Sequence, residues 1–413
     1  GRLCVIINMM LVDSPPRIPV SRRNSGFDYA IRSIVAEARK VEAKGQAVKY
    51  LNIGDPVLFG FQTPPHLIEA VEKAMRDGRN GYTPADGVPE AREAVAREFH
   101  ARGLSVSADR IILTAGASEG IDLALSVLLD PEDEVLVSVP TYPLYTAVLA
   151  KLGARPVYYR TDPKNGWQPD IAHIESLITP RTRAIVVIDP NNPTGAVYTR
   201  ENRLALLELA DRHNLVLLSD EGYTDLAYDG RVQTLGSYNP SAPVISFSSL
   251  SKAYLAPGWR TGWMVFGGGT RLDSILAAVK EMADGRICSV GPMQLAVTAA
   301  LDGDKSHQEA FLRELRIRAE ITSRRLNAIE GISCVPPQAA FYAMPKVELL
   351  PGQTDKEYVL SLLRETGLLC VYGSGFGTIP TDGYLRVVFL ASPEELNQYY
   401  DAIEDFTARF LKH

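Results

Sequence analysis

Residues 183–220 read RAIVVIDPNNPTGAVYTRENRLALLELADRHNLVLLSD, and this stretch decides the fold class. Its apolar runs at 185–188 and 215–218 lack period-two alternation, which indicates strands buried on both faces of a parallel sheet. The amphipathic segment between them, 201–213, predicts a crossover helix. Because similar runs and helical patterns alternate from about residue 110 to residue 263, the sequence predicts an α/β fold with a large doubly wound, mostly parallel sheet.

The length of 413 residues exceeds the usual size of a single core, so we expect two domains. The last hundred or so residues predict a smaller α+β domain, with a long charged helix at 307–330, strands near 340–345 and 384–389, and a helix from residue 393. We expect a large domain at 56–304 and this small domain at 305–413. Residues 1–55 are predicted to be an N-terminal arm and a helix, 29–44, that packs with the small domain.

Charge and composition exclude several classes of function. A net charge of −6 argues against nucleic acid or an anionic membrane surface as a partner. The apolar run at 3–12 is too short to span a bilayer, which needs about 20 residues. Four dispersed cysteines without a CxxC pair suit a reducing, cytoplasmic compartment. The cysteines and histidines lack metal-ligand spacing, so no metal is expected.

The junction RIILTAGASEG (110–120) joins an apolar run to a helical pattern through Gly116. The backbone N–H groups of Ala117 and Ser118 then face outward at the positive end of a helix, which favours binding of a phosphate. Ser118 as an ordinary helix cap is the alternative interpretation.

Polar residues also follow the later strands. Asn192 in NNPTG precedes a proline, so its backbone is kept out of the helical region and its amide can face a ligand. Asp220 in SDEGY ends an apolar strand, where a carboxylate is costly unless a cation or a donor meets it; Tyr223 follows. Taken singly, these residues would be interpreted as a turn residue and a helix cap.

The stretch SSLSKAYLAPGWRTGW (248–263) presents Lys252 between Ser249 and Arg260. An isolated lysine is usually a solvated surface charge. Here a phosphate cradle, an amide, an acid, a tyrosine, a lysine and an arginine follow one another at successive strand ends, where ligands of open sheets bind. Pyridoxal phosphate matches this set, because it carries a phosphate, a phenolic oxygen, a basic ring nitrogen and an aldehyde that condenses with an amine. A cofactor-free Schiff-base aldolase would leave the cradle and Asp220 unexplained.

Through NNPTG, SDEGY and SLSKAYLAPGWRTGW the chain resembles the aspartate aminotransferase superfamily, the fold type I enzymes of pyridoxal phosphate. It is also similar to archaeal and bacterial alanine aminotransferases in YAIRSIV, LNIGDPVLFGFQTPPHL, WQPDI, QAAFYAMPK and YGSGFG. The likeness runs from about residue 22 to the C-terminus. It implies class I/II aminotransferase activity, with an amino acid and a 2-oxo acid as substrates.

The resemblance also implies residue roles. Lys252 would bond covalently to the cofactor and then move a proton at the substrate α-carbon. Asp220 would face the ring nitrogen, Asn192 and Tyr223 the ring oxygen, and Tyr142 the ring face. The residues implied at the phosphate are Gly116, Ala117, Ser118, Ser249 and Arg260, with Tyr82 reaching across from a second subunit, which implies a homodimer with shared active sites.

Arg386 in YLRVVFL is implied to bind the substrate α-carboxylate, with Gly54 of IGDP closing over it. Arg286 matches an arginine that dicarboxylate-using members contribute across the dimer, and its alternative is a structural salt bridge. Should Arg286 have no such role, Arg17, Arg22 and Arg23 in the N-terminal arm are the other candidates. The resemblance implies transfer from L-alanine to 2-oxoglutarate; another amino donor or a C–S β-lyase reaction remains the alternative.

Overall fold

The fold was analysed in a computed structural model, which describes residues 18–26 and 29–412. The apolar run at 3–12 and the candidate Arg17 lie outside the described residues. The strands are β1 (Lys49–Tyr50), β2 (Ile111–Thr114), β3 (Glu134–Val139), β4 (Arg155–Asp162), β5 (Gln168–Pro169), β6 (Thr182–Ile188), β7 (Val216–Asp220), β8 (Val244–Ser249), β9 (Gly262–Phe266), β10 (Ile332–Ser333), β11 (Tyr342–Ala343), β12 (Lys346–Val347), β13 (Leu368–Leu369), β14 (Val371–Tyr372) and β15 (Leu385–Val388).

The α-helices connect and cover these strands. They are α1 (Ala30–Ser33), α2 (Val35–Glu42), α3 (Pro65–Arg76), α4 (Pro89–Ala101), α5 (Ala117–Leu128), α6 (Pro143–Leu152), α7 (Ile171–Ser176), α8 (Arg200–Arg212), α9 (Asp273–Gly285), α10 (Gly291–Gln294), α11 (Ala296–Asp302), α12 (Ser306–Ala328), α13 (Asp355–Thr366) and α14 (Pro393–Phe410). In the described part of the chain, no helix is both long and apolar enough to cross a membrane.

The largest sheet has the strand order β2-β9-β8-β7-β6-β3-β4-β5. The pairs from β8 through β7, β6 and β3 to β4 are parallel, whereas β9 is antiparallel to both of its neighbours and β5 is antiparallel to β4. This arrangement confirms the predicted α/β class and its mostly parallel sheet.

Alternate residues of β6 enter different cores. Ala184, Val186 and Ile188 pack with residues of α5, α6 and α9. Ile185 and Val187 pack with residues of α7 and α8 on the opposite face. Helices cover both faces of β6, so both sets of alternate residues must be apolar. This explains why the sequence of β6 is apolar without period-two alternation.

The C-terminal elements build smaller sheets. β11, β15 and β14 form a three-stranded sheet, β10 pairs with β12, and α12 packs against α14. The N-terminal segment joins these elements, because β1 pairs with β13 and α2 packs against α13. The domain boundaries at residues 55 and 304 stay a prediction. The predicted single helix at 29–44 is instead two short helices, α1 and α2, joined at Ile34, whose backbone stays helical.

Candidate active site

The carboxyl ends of the parallel strands open into a cavity of about 710 Å³. Ile188, Asp220 and Ser249, the last residues of β6, β7 and β8, all line it. The strand register explains why, because Ile188 pairs with Asp220 at the ends of neighbouring strands. The predicted site residues that line the cavity are Gly54, Ala117, Ser118, Tyr142, Asn192, Asp220, Tyr223, Ser249, Lys252, Arg260 and Arg386.

The predicted phosphate cradle is a tight turn between β2 and α5. Gly116 caps the helix with φ of 76°, a backbone region that favours glycine. A Cβ at this position would also overlap the guanidinium of Arg260. Arg260 donates from Nη2 to Ser118 Oγ at 3.1 Å and from Nη1 to the Pro257 carbonyl at 2.9 Å. A cation and a helix N-terminus therefore meet at one point, a combination that suits a phosphate.

Asp220 lies deep in the cavity. Its Oδ2 accepts a hydrogen bond from the Tyr145 hydroxyl at 3.1 Å, and its Oδ1 accepts one from the backbone N–H of Gly222 at 3.3 Å. The side chain keeps some surface facing the cavity, but the surrounding protein desolvates it, and this burial raises the pKa of Asp220 to about 6. A positively charged group beside this carboxylate would stabilise its ionised form.

The amine of Lys252 reaches across the cavity to the N-terminal segment. Its Nζ donates a hydrogen bond to the carbonyl of Gly54 at 2.8 Å and lies 5.8 Å from the ring centroid of Phe341. Lys252 is half-buried and follows β8 by three residues. This placement brings a primary amine and the Asp220 carboxylate into the same cavity.

Two tyrosine pairs border the cavity. The hydroxyl of Tyr223 shares a hydrogen bond with that of Tyr342 at 2.7 Å, and the hydroxyl of Tyr29 donates to that of Tyr142 at 2.7 Å. All four residues line the cavity. Burial raises the pKa of Tyr223 well above its usual value, and Tyr342 adds to that rise, so the phenol is a neutral hydrogen-bonding group at physiological pH.

Arg386 is a buried cation at the small-sheet side of the cavity, with 1% of its surface exposed. Nη1 donates to Asn192 Oδ1 at 3.0 Å, and Nη2 donates to the Asn52 carbonyl at 2.5 Å. The guanidinium stacks 4.6 Å from the ring centroid of Tyr342. Among the described residues, no carboxylate forms an ion pair with Arg386, and its buried Nε has no hydrogen-bond partner. Burial lowers the pKa of Arg386.

Tyr82 and Arg286 lie away from this cavity. Tyr82 lies on the loop between α3 and α4, and its side chain is 84% exposed. Arg286 donates to the carbonyls of Ala85 at 2.9 Å and Leu113 at 2.8 Å, and its Nε lies 2.8 Å from Glu119 Oε1. Two of the three guanidinium nitrogens therefore donate hydrogen bonds within the chain, and Nε forms an ion pair with Glu119 without a hydrogen bond of its own. These contacts favour the structural salt bridge over a substrate-binding role.

Several cavity residues were not predicted from the sequence. Tyr29, Arg32 and Tyr342 line the cavity, and the fully buried Tyr145 contacts it through its hydrogen bond to Asp220. Tyr29 and Arg32 belong to YAIRSIV, and Tyr342 to QAAFYAMPK, which are stretches that carry the family resemblance. Tyr142 is the N-cap residue of α6, and Tyr145 follows it by three residues in the first turn of that helix. That spacing was the signal available for Tyr145.

The described residues contain no group of three or more histidine, cysteine, aspartate or glutamate side chains that could hold a metal ion. The donor set at the cavity fits pyridoxal phosphate instead. A helix N-terminus with an arginine matches a phosphate, Asp220 matches a basic ring nitrogen, and Lys252 matches an aldehyde. This fold and this cavity together define an α/β enzyme of the aminotransferase class.

The chain belongs to the aminotransferase class I and II family, whose sequence model matches residues 48–403. It is 37% identical over 391 residues to an alanine aminotransferase of Mycobacterium tuberculosis, a match that covers 92% of this chain and 91% of that protein. It is 36% identical over 379 residues to the glutamate-pyruvate aminotransferase AlaA of Escherichia coli, with 89% and 92% covered.

Among solved structures, an alanine aminotransferase from Pyrococcus furiosus superimposes with a TM-score of 0.92 and 40% identity. That match covers 95% of this chain and 100% of the other. The protein is therefore an aminotransferase, which moves an amino group between an amino acid and a 2-oxo acid. Membership of the family implies pyridoxal phosphate as its cofactor.

Proposed function

We propose that this aminotransferase transfers the amino group of L-alanine to 2-oxoglutarate and forms pyruvate and L-glutamate. The relatives named alanine aminotransferase and glutamate-pyruvate aminotransferase support this choice of substrates. The observation that carries the proposal is Arg386, a buried cation that lines the cavity without a carboxylate partner among the described residues.

A buried guanidinium without a counter-anion is costly, so the site favours an anionic ligand at Arg386. The planar fork of arginine binds a carboxylate through two parallel hydrogen bonds. Amino acids and 2-oxo acids share a carboxylate next to the reacting carbon. Arg386 therefore binds that carboxylate in each substrate, and Asn192, whose amide oxygen is already engaged by Arg386, offers its N–H donors to the same ligand.

Pyridoxal phosphate, when bound, supplies an aldehyde that captures the amino group and a ring that accepts electrons from the α-carbon. Ala117, Ser118, Ser249 and Arg260 hold the phosphate, and Gly116 allows Arg260 to approach. Further residues of the cavity would orient the ring: Asp220 would pair with its nitrogen, Asn192 and Tyr223 would donate to its oxygen, and Tyr142 would pack on its face.

Lys252 is the residue suited to proton transfer. Its amine would anchor the cofactor covalently, and as a free amine it would accept the proton that leaves the substrate α-carbon. Gly54, whose carbonyl accepts from Lys252 Nζ at 2.8 Å, keeps the amine within the cavity. Tyr223 and Tyr342, as a hydrogen-bonded pair, add two hydroxyl groups to the cavity wall.

The enzyme works as a homodimer with shared active sites in this proposal. Tyr82 is a large, 84% exposed side chain on a loop outside the cavity of its own chain. Exposed apolar side chains of Ile68 and Met75 on the preceding helix α3 suit an interface between subunits. In the dimer, Tyr82 of each chain completes the phosphate site of the other.

The proposal is tested by measuring amino transfer with purified enzyme and pyridoxal phosphate. Alanine, aspartate, cysteine and aromatic amino acids are each paired with 2-oxoglutarate, and the products are identified by chromatography. We expect the highest kcat/KM for alanine, with stoichiometric pyruvate and glutamate, and a loss of roughly 100-fold or more in Lys252→Ala. A higher kcat/KM for another donor, or pyruvate release from cysteine without 2-oxoglutarate, would contradict the assignment.

A further inference from the structure

A dicarboxylic substrate needs a second positive group besides Arg386. In the proposed reaction, glutamate and 2-oxoglutarate carry a distal carboxylate, whereas alanine and pyruvate carry a methyl group at the corresponding side. A carboxylate that leaves water for a protein cavity needs a cation or several donors to compensate for its lost hydration. Two carboxylates, Asp55 and Asp220, already line this cavity, so an unassisted dianion would also be repelled.

The cationic side chains that line the cavity are Arg32, Lys252, Arg260 and Arg386. Three of them already bond within the chain: Lys252 to the Gly54 carbonyl, Arg260 to Ser118 and Pro257, and Arg386 to Asn192 and Asn52. Arg32 differs from them. Its guanidinium makes neither a hydrogen bond nor an ion pair with any residue in the ranges 18–26 and 29–412, and its side chain is exposed.

Arg32 lines the same cavity as Arg386, and both act on Tyr29. It belongs to α1 and follows Tyr29 by three residues. Burial raises the pKa of Tyr29, while the Tyr142 hydrogen bond and the positive charges of Arg386 and Arg32 oppose that rise. Both guanidinium groups are therefore close enough to the Tyr29 hydroxyl to act on it electrostatically.

We propose that Arg32 binds the distal carboxylate of glutamate and 2-oxoglutarate and thereby determines the acceptance of dicarboxylic substrates. This inference rests on the proposed function and assigns its second substrate subsite. Arg386 holds the carboxylate that all substrates share, and Arg32 pairs with the carboxylate that only the dicarboxylic substrates have. Substrates with a methyl side chain leave Arg32 exposed to water, which solvates its charge. An unpaired guanidinium there costs little free energy, so one site accepts both side chains.

Arg286, the first candidate from the sequence, is less suited to this role. Its nitrogens already contact the carbonyls of Ala85 and Leu113 and the carboxylate of Glu119. A substrate carboxylate at Arg286 would have to displace these partners. Arg32 can bind a ligand without breaking a bond to any described residue.

The test compares half-reactions of the holoenzyme and its Arg32→Gln variant. Conversion of the bound cofactor is followed by stopped-flow absorbance with glutamate, 2-oxoglutarate, alanine and pyruvate in turn. We expect Arg32→Gln to lower kcat/KM for the two dicarboxylic substrates by about 10- to 100-fold and to change the other two less than about 3-fold. Arg32→Lys, which keeps the charge but loses the planar fork, should fall between the two. Arg39→Gln, an exposed arginine on α2, is the matched control.

A binding measurement separates this inference from the choice of amino donor. Glutarate and butyrate differ by the distal carboxylate, and their affinities for the holoenzyme are measured by calorimetry. We expect Arg32→Gln to weaken glutarate binding by about 10-fold or more and to leave butyrate binding unchanged. Equal affinities of glutarate for both proteins, or an equal loss for both ligands, would overturn the role of Arg32. This result holds whether or not alanine proves to be the preferred donor.

Discussion

The hydroxyl of Tyr145 donates a hydrogen bond to Oδ2 of Asp220 at 3.1 Å. With the N–H of Gly222 on Oδ1, it fixes the carboxylate in one orientation at the end of β7. These two donors lower the pKa of Asp220, but burial outweighs them and raises it to about 6. The site thus holds an acid that is poised to pair with a positively charged ligand, and its proton affinity has consequences for stability.

The stability of the cofactor-free protein should depend on Asp220 at mildly acidic pH. Because its pKa is raised in the fold from 3.8 to about 6, the native state binds this proton more strongly than the unfolded state does. The contribution of Asp220 to stability is present below about pH 4 and is lost as pH rises to about 6. Asp220→Asn cannot ionise and should lack this loss, which amounts to about 3 kcal/mol at most.

The measurement is the difference in urea unfolding free energy between Asp220→Asn and wild-type apoprotein from pH 4 to pH 7. We expect the difference to shift in favour of the variant across this window. Asp405→Asn, at an exposed position on α14, serves as the control. If the unfolding free energies of Asp220→Asn and wild type change with pH in parallel, burial does not raise the pKa of the Asp220 carboxyl.

Gly54 should tolerate no larger residue. A Cβ at this position would overlap the hydroxyl of Tyr342 and the ring of Phe341. Gly54→Ala must therefore move either the tyrosine or the carbonyl that accepts from Lys252. Since small displacements at a reacting group are costly, we expect kcat to fall by roughly 10- to 100-fold. Gly285→Ala is the control, because Gly285 ends helix α9 and a Cβ there meets no atom within 4 Å. Similar kcat values for the two variants would contradict the steric argument.

The fold and much of the cavity were predictable because strands and their ends obey local rules. Buried parallel strands need apolar runs, and neighbouring strands bring their final residues to one edge, so Asp220 and Lys252 could be placed together from the sequence. Tyr342 could not be placed in this way. It lies on the two-residue strand β11, and its contact with Tyr223 depends on how the small sheet packs against the large one.

It was also difficult to predict which side chains already have hydrogen-bond or ion-pair partners within the chain. From the sequence, Arg286 was a candidate for binding a carboxylate and Arg32 was not, although Arg32 lies in the YAIRSIV stretch that carries the family resemblance. The difference arises from tertiary contacts. Arg286 meets the carbonyls of Ala85 and Leu113, residues 201 and 173 positions away along the chain, whereas Arg32 meets none among the described residues.

Tyr82 is expected to act in the active site of the partner subunit. Tyr82→Ala and Lys252→Ala homodimers should both be impaired, the first through weaker phosphate binding and the second through loss of the amine. A mixed dimer carrying one mutation in each chain has one site with Lys252 and the partner's Tyr82 intact, and one site with both residues lost. Co-expression with two affinity tags isolates it, and we expect about half of the wild-type kcat per dimer. Activity no higher than that of the Tyr82→Ala homodimer would place Tyr82 in its own site.

Arg286 should matter for the cofactor rather than for the choice of substrate. Its guanidinium contacts Leu113 on β2 and Glu119 in the first turn of α5, the two elements that flank the phosphate cradle. A third contact, to Ala85, holds the loop that carries Tyr82. Removal of the side chain leaves the Ala85 and Leu113 carbonyls without this donor and Glu119 without its ion-pair partner. Each buried group left unsatisfied costs about 1–3 kcal/mol.

We therefore expect Arg286→Ala to weaken retention of pyridoxal phosphate by roughly 10-fold, as measured by equilibrium dialysis. With the cofactor saturating, any fall in kcat/KM should be equal for alanine, pyruvate, glutamate and 2-oxoglutarate. The reason is that a loosened phosphate cradle and a loosened Tyr82 loop affect every half-reaction alike. Arg286→Lys is the matched variant; it keeps the positive charge near Glu119 but cannot reach all three partners, so its loss should be smaller. A selective loss for glutamate and 2-oxoglutarate, with alanine and pyruvate spared, would instead assign Arg286 to the distal carboxylate across the dimer and would remove that role from Arg32.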